Sequence, residues 1–397
     1  MYCIARTNRN RHSRSRRRRG VTLMLSLLVI SLLIVIAIVL FDWTRLALVQ
    51  QQLQATADSA ALAGAQRLAN LGLELPPQST NADANSLIWQ AQFATAQAQA
   101  TAVVRETDAD LAELGSEIIV GHRSDAEVEP FAGLAACDIV EVKLGRTAAQ
   151  GNPLELITAR MFGLALGDVQ VRSRAHVQRS ITGFRPTATK SVPCLPLVVQ
   201  DTADPSSWQS QLAADANGAF NDRYARTLTG DSVPGEDGVP EIAVRLQLSA
   251  TAENAASGWL TNLSASGQSP SALSAWAQQV ATGLTAEDLA ATDGELVASP
   301  TQRYPALASD QVDPAAVCEL VKSIVGQRRI VPLGRHDAHS NSLKISGFAA
   351  GTVVDCYLDD DRSLIVLIQP GALETATAVV DATAPPNPWL GKVVLAD

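Results

Sequence analysis

The chain has no pair of cysteines spaced C-x-x-C, no G-x-x-x-x-G-K-[ST] phosphate loop and no H-E-x-x-H. Those gaps remove the zinc knuckle, the thioredoxin-like dithiol, the nucleotide-binding loop and the helical zinc-protease site, each of which needs its groups at fixed offsets. The first nineteen residues contain no acid, and Gly20 to Phe41 contain no charge of either sign. A leader clipped on export needs a shorter apolar run that ends in small residues at a cut site. Here the run is long and exits as Phe41-Asp42-Trp43-Thr44-Arg45, with no A-x-A nearby. That exit is the pattern of a retained anchor.

What is present begins with charge. Of the 31 basic residues in this 397-residue chain, eight are arginines in the first nineteen positions: Arg6, Arg9, Arg11, Arg14 and Arg16 to Arg19. The other 23 stand against all 40 acids, a formal balance of −17. A basic tail ahead of an acidic body predicts a chain divided between two compartments. The arginine run has no aromatic interleaving and stops at the first apolar residue. It therefore reads as a topology signal rather than a grip on nucleic acid, and no nucleic-acid partner is expected.

Val21 to Phe41 holds sixteen residues of Val, Leu, Ile or Phe. At roughly −0.3 to −0.6 kcal/mol each near the helix centre, they favour the bilayer by several kcal/mol. Twenty-one residues at about 1.5 Å each reach roughly 32 Å, enough to cross a hydrocarbon core of about 30 Å. Thr22, Ser26 and Ser31 cost little, because a helix lets a hydroxyl bond back to a carbonyl one turn earlier. Arg16, Arg17, Arg18 and Arg19 should remain in the cytoplasm, placing residues 42–397 on the far side of the cytoplasmic (inner) membrane. Trp43 suits the interface.

Past the membrane the helical pattern continues. Leu46, Val49, Leu53, Ala57, Ala60, Gly64 and Leu68 recur at steps of three and four, with Ala61, Ala65 and Ala69 as a second small-residue row. The spacing predicts one stem from about Val21 to Asn70, stopped by Pro76 and Pro77. Its small face would let another element approach the helix backbone closely, including a neighbouring stem.

The block FDWTRLALVQQQLQATADSAALAGAQ resembles the amino-terminal region of TadG-like proteins of the Flp (Tad) pilus-assembly system. The resemblance covers residues 16–70 and is carried by Asp42, Arg45, Gln52, Leu53 and Gln54, then by Ala57, Asp58, Ala60, Ala61, Leu62, Ala63, Gly64 and Ala65. Two later segments, Val140 to Ser180 and Ala315 to Gly334 together with Ser342 to Pro370, resemble further parts of such proteins. Some members carry a von Willebrand A domain with a D-x-S-x-S metal site; this chain has no such string, so that domain's properties are not carried over. The resemblance implies other pilus-assembly proteins as partners. The start RRRRGVTLML is also similar to type IV prepilins, which are cut after a glycine. That family has a glutamate five positions after the cut, where this chain has Leu25. The resemblance leaves cleavage after Gly20 open and removes the carboxylate it would assign to subunit docking.

The rest of the chain reads as α+β, with mostly antiparallel sheets in two small mixed subdomains after the stem. The divisions are residues 1–19 for the tail, 20–41 for the span, 42–70 for the stalk, and 71–186 and 187–397 for the two subdomains. Ala84 to about Glu106 reads as a second helix. Asp138 to Thr147 and Val169 to Arg179 alternate as strands, the latter with Val169, Val171, Ser173, Ala175 and Val177 on one face. Asn152-Pro153 looks like a helix start. Asp313-Pro314 looks like another, opening a helix to Gly326. Leu343 to Phe348, Thr352 to Leu358 and Leu364 to Gln369 read as three strands, the last two a hairpin turned at Asp359 to Arg362.

Candidate chemistry is thin. His336, Asp337 and His339 read as a polar loop ahead of a strand, lacking the further ligands a metal needs. Asp359, Asp360 and Asp361 lack the glycine and closing glutamate of a calcium loop. Ser269 lies in a string short of G-x-S-x-G. The residues therefore predict no catalytic group, metal or cofactor. Cys137, Cys194, Cys318 and Cys356 allow three disulfide pairings between which spacing does not choose. The expected function is a single-pass, non-enzymatic envelope protein that assists Flp/Tad-type pilus assembly or secretion. A pilin-like subunit cut after Gly20 is the alternative, and a membrane-tethered hydrolase or metal protein a distant third.

Overall fold

A computed structural model describes residues 12–71, 82–123, 128–130, 138–158, 167–201, 206–213, 222–226, 232–236, 239–246, 257–264, 272–290, 292–307, 312–337, 340–360 and 363–396. The fold is α+β, as the residue pattern predicts. Its first element, α1 (His12–Leu71), is one unbroken helix of 60 residues. From Val21 to Phe41 every side chain except Ile38 is exposed, and this is the helix among the described residues that is long and apolar enough to cross a membrane. Its hydroxyls are satisfied within the helix: Ser26 donates to the Leu23 carbonyl at 2.9 Å, and Ser31 to the Leu27 carbonyl at 2.7 Å. Pro76 and Pro77 lie outside the described residues.

The chain divides into two compact units: Met1–Ser59 with Thr101–Glu117 and Val142–Ser173, and Ala60–Ala100 with Ile118–Glu141 and Arg174–Asp397. In the first, α2 (Ala82–Thr107) contributes its last turns and α3 (Ala109–Leu114) follows. Asp108 accepts from the Leu111 N–H and caps α3, and it also pairs with Arg146 at 2.5 Å. The helix start expected at Asn152-Pro153 is absent. Asn152 instead accepts from the Thr147 N–H and donates to the Gly145 carbonyl, and Leu154 bridges to Gly167 in an extended conformation. The amide side chain that suggested a cap closes a turn, and helical backbone begins at Ile157.

A six-stranded sheet runs in the order Leu373–Glu374, Leu390–Ala396, Val169–Gln178, Ile139–Arg146, Ser116–Arg123, Val128–Pro130. Val169–Gln178 alternates as its sequence predicts, with Val169, Val171, Ser173, Ala175 and Val177 buried. The carboxy-terminal strand pairs antiparallel with it, Lys392 opposite Gln178 through Ala396 opposite Arg174.

The second unit holds a larger sheet: Tyr304–Pro305, Ser342–Leu358, Arg328–Asp337, Leu197–Gln200, Gly258–Leu260, Ile242–Leu246, Leu364–Pro370. Leu364–Pro370 pairs again with Ser342–Leu358, so six strands close into a ring. Most pairings are antiparallel; Gly258–Leu260 with Ile242–Leu246, and Arg328–Asp337 with Leu197–Gln200, are parallel. Leu343–Phe348 and Thr352–Leu358, expected as two strands, are one strand of 17 residues. Its first part pairs with Arg328–Asp337 and its last part with Leu364–Pro370. Closure leaves these six strands no free edge. Helices α4 (Trp208–Ala213), α5 (Ala272–Thr282) and α6 (Pro314–Lys322) complete the unit. Asp313 caps α6 by accepting from the Ala315 N–H, as expected. Trp208, Trp276, Phe184 and Tyr304 are its largest fully buried side chains. The Trp276 indole N–H donates to the Pro196 carbonyl at 2.9 Å.

Candidate functional site

The residues carrying the family resemblance fall into two groups along α1. The first follows directly on the apolar run. Asp42 is buried, 5 % exposed, and accepts three hydrogen bonds: from the Ile157 N–H at 3.1 Å, the Thr158 N–H at 2.7 Å and the Thr158 hydroxyl at 2.6 Å. The Thr158 hydroxyl, then the two amides and the Arg45 charge, hold the carboxyl below its ordinary range against an opposing push from burial. Arg45, one helical turn on and on the same face, donates from Nη1 to the Glu155 carbonyl at 2.9 Å. The Asp-x-x-Arg spacing thus places an acceptor and a donor side by side, and both grip the segment 155–158. Gln54 extends the row, donating to Asp58 at 2.8 Å and to the Arg172 carbonyl at 3.4 Å. All of these groups belong to the first unit.

The second group is the small face. Leu53, Ala57, Ala60, Ala61, Ala65, Leu68 and Ala69 are buried, a stripe at helical spacing. Leu62 and Ala63 are half-buried and Gln52 is exposed. In the second unit Gly64 lies against this chain's own second helix and sheet. A Cβ there would stand 3.0 Å from Val140 Cγ1, 3.3 Å from Ala100 Cβ and 3.3 Å from the Ala96 carbonyl. Ala96, Ala100 and Val104 are fully buried and recur every four residues of α2, so helix meets helix through small side chains. Here the close-packing face is filled from within the chain.

The other candidates are placed differently. His336 and Asp337, expected in a loop, end the strand Arg328–Asp337. The His336 ring stacks on Trp259 with centroids 5.3 Å apart and lies 3.1 Å from the Asn341 side-chain oxygen. Asp337 pairs with Arg303 at 3.0 Å. Both groups are thus engaged structurally; His339 lies outside the described residues. Asp359 pairs with Arg245 at 2.6 Å in the hairpin turn; Asp361 and Ser269 lie outside the described residues. Among the described residues no three His, Cys, Asp or Glu side chains group as a metal site. Cys194, Cys318 and Cys356 are free, buried thiols, while Cys137 lies outside the described residues. Arg16 to Arg19 fall in the first turns of α1, and their side chains lie outside what is described. The residues that sequence reading missed are the receivers: Glu155, Ile157, Thr158 and Arg172 for the polar row, Val140, Ala96 and Ala100 for the small face. Most take part through backbone atoms, which leave no side-chain signature; only the alanine repeat of α2 was there to be seen.

Residues 20–67 match the family model described as "Putative Flp pilus-assembly TadE/G-like". No curated protein and no solved structure matches the chain. The matched stretch contains the exposed apolar helix, the Asp42–Arg45 pair, Gln54 and Gly64. The chain is therefore a membrane-anchored protein with a TadE/G-like amino-terminal region.

Proposed function

We propose that this chain is a single-pass inner-membrane protein whose arginine tail stays in the cytoplasm and whose acidic body lies outside. On this reading it assists Flp/Tad-type pilus assembly or secretion by protein contacts and without catalysis. One observation carries the proposal. The matched region is a single helix whose first part is apolar and exposed, and whose second part is consumed by internal packing. A helix built that way joins a bilayer to a folded body, which is the work of an anchor and scaffold. The basic tail supports the orientation, since Lys and Arg are retained on the cytoplasmic side. Its partners are the lipid bilayer and other proteins of the assembly system; the occupied small face favours contact through the body over stem-to-stem association.

The test combines three measurements on the full chain in its own cells. Mass spectrometry of the amino terminus should find residues upstream of Gly20 intact, whereas a mature start at Val21 would favour a pilin-like subunit. External protease after outer-envelope permeabilisation should degrade the body and spare a tag placed ahead of Arg6. A deletion strain should lose surface pili or secretion and regain them with the intact chain. A protease-protected body, or full pilus output in the deletion strain, would overturn the proposal.

A further inference from the structure

Two of the described cysteines stand together. Cys318 projects from the buried face of α6 beside Val317 and Val321, and Cys356 lies on the long strand against which that helix packs. The Cys318 thiol donates to the Cys356 carbonyl at 3.1 Å, which sets its sulfur against the backbone of the second cysteine. Both are almost fully buried, at 4 % and 0 % exposure. Cys194 is placed otherwise, with its sulfur 3.6 Å from the Leu195 carbonyl and Arg329 as its charged neighbour.

A disulfide needs two side chains already facing each other on elements that hold their Cα atoms about 4.4–6.8 Å apart. The Cys318 sulfur already touches the Cys356 backbone, so rotation of both side chains about their Cα–Cβ bonds is the movement that would bring the sulfurs together. We propose that Cys318 and Cys356 are the disulfide pair of the body, bonded when the chain folds in the presence of a disulfide donor. One thiolate attacks the donor disulfide and forms a mixed disulfide, releasing one donor thiol. The second thiolate then displaces the other donor sulfur. The two cysteines lose two electrons and two protons, and the donor becomes two thiols. Burial and the adjacent Cys318 sulfur push the Cys356 thiol up, so the finished fold exchanges slowly and the bond belongs to folding. Formation in the cell rests on the exported placement proposed above, because disulfides persist in oxidising compartments; the choice of pair rests on geometry alone.

The test uses full-length protein extracted under a thiol-blocking quench, denatured, and digested without reduction. Peptides bearing Cys318 and Cys356 should appear linked, lighter than the reduced pair by two hydrogens, with Cys194 blocked as a free thiol. A parallel sample, denatured and refolded by dilution with glutathione disulfide, should give the same link and lose it in Cys356→Ser. Linkage only in the refolded sample would support the pairing and count against the exported placement. Absence of the link from both samples, or its replacement by a bond to Cys137 or Cys194, would overturn the pairing whatever the topology.

Discussion

Asp42 takes its donors from a segment 115 and 116 residues further along the chain. A carboxylate that accepts several N–H and O–H donors is favoured in its charged form, which is the direction seen here. The pH consequence follows from linkage. A folded-state pKa lowered from 3.8 means that this group's contribution is fully present above pH 3.8 and is lost as pH falls through the lower folded value. Hydrogen exchange of full-length protein in detergent should show the Ile157 and Thr158 amides protected at neutral pH. Asp42→Ala should raise their exchange several-fold while leaving the amides of Ser342–Leu358 unchanged. Asp42→Asn should remove the acid-dependent part of the protection below pH 3.8. Equal protection in wild type and Asp42→Ala would show that the segment is held by something else.

Among the elements, Gly64 separates helix propensity from packing. Alanine there gains up to about 1 kcal/mol of helix propensity over glycine. The added methyl would meet Val140, Ala100 and the Ala96 carbonyl at 3.0–3.3 Å, and overpacking of that kind costs about 1–3 kcal/mol. Gly64→Ala should therefore fall between neutral and about 2 kcal/mol destabilising. Gly64→Leu should lower the denaturation midpoint much further, while Gln66→Leu, on the exposed side of the same turn, should leave it nearly unchanged. Equal effects at Gly64 and Gln66 would mean that the face is not packed. Period was enough to read α1, α2, the cap at Asp313 and the alternation of Val169–Gln178 from the sequence, because each is local. It was not enough at Asn152, whose side chain serves a turn, or at Ala349 to Gly351, left as a gap between two expected strands. Those three residues pair with Val331, Ile330 and Arg329 inside one long strand. The Asp-x-x-Arg spacing marked the right face of α1, but its receivers lay more than a hundred residues away.

In the whole molecule, the decisive pairings join distant stretches of chain, and the last strand is the clearest case. Leu390–Ala396 covers the flank of Val169–Gln178. Trp389, just before it, is 6 % exposed and meets Trp208 edge-to-face at 6.2 Å. Removing residues 389–397 would empty an aromatic core site, which alone costs about 3–5 kcal/mol. It would also uncover a strand with alternating apolar residues, a template for pairing with another chain. Set against a typical total stability of about 5–15 kcal/mol, the truncated chain should be largely unfolded or aggregated in detergent. The point variant Trp389→Ala keeps the strand and loses only the ring. It should fold with a lower midpoint and remain monodisperse. Should the truncated chain match Trp389→Ala in both midpoint and dispersity, the carboxy-terminal strand would be only a decoration on the sheet. Aggregation confined to the truncation would instead identify that strand as the cover that keeps the sheet edge from pairing with other chains.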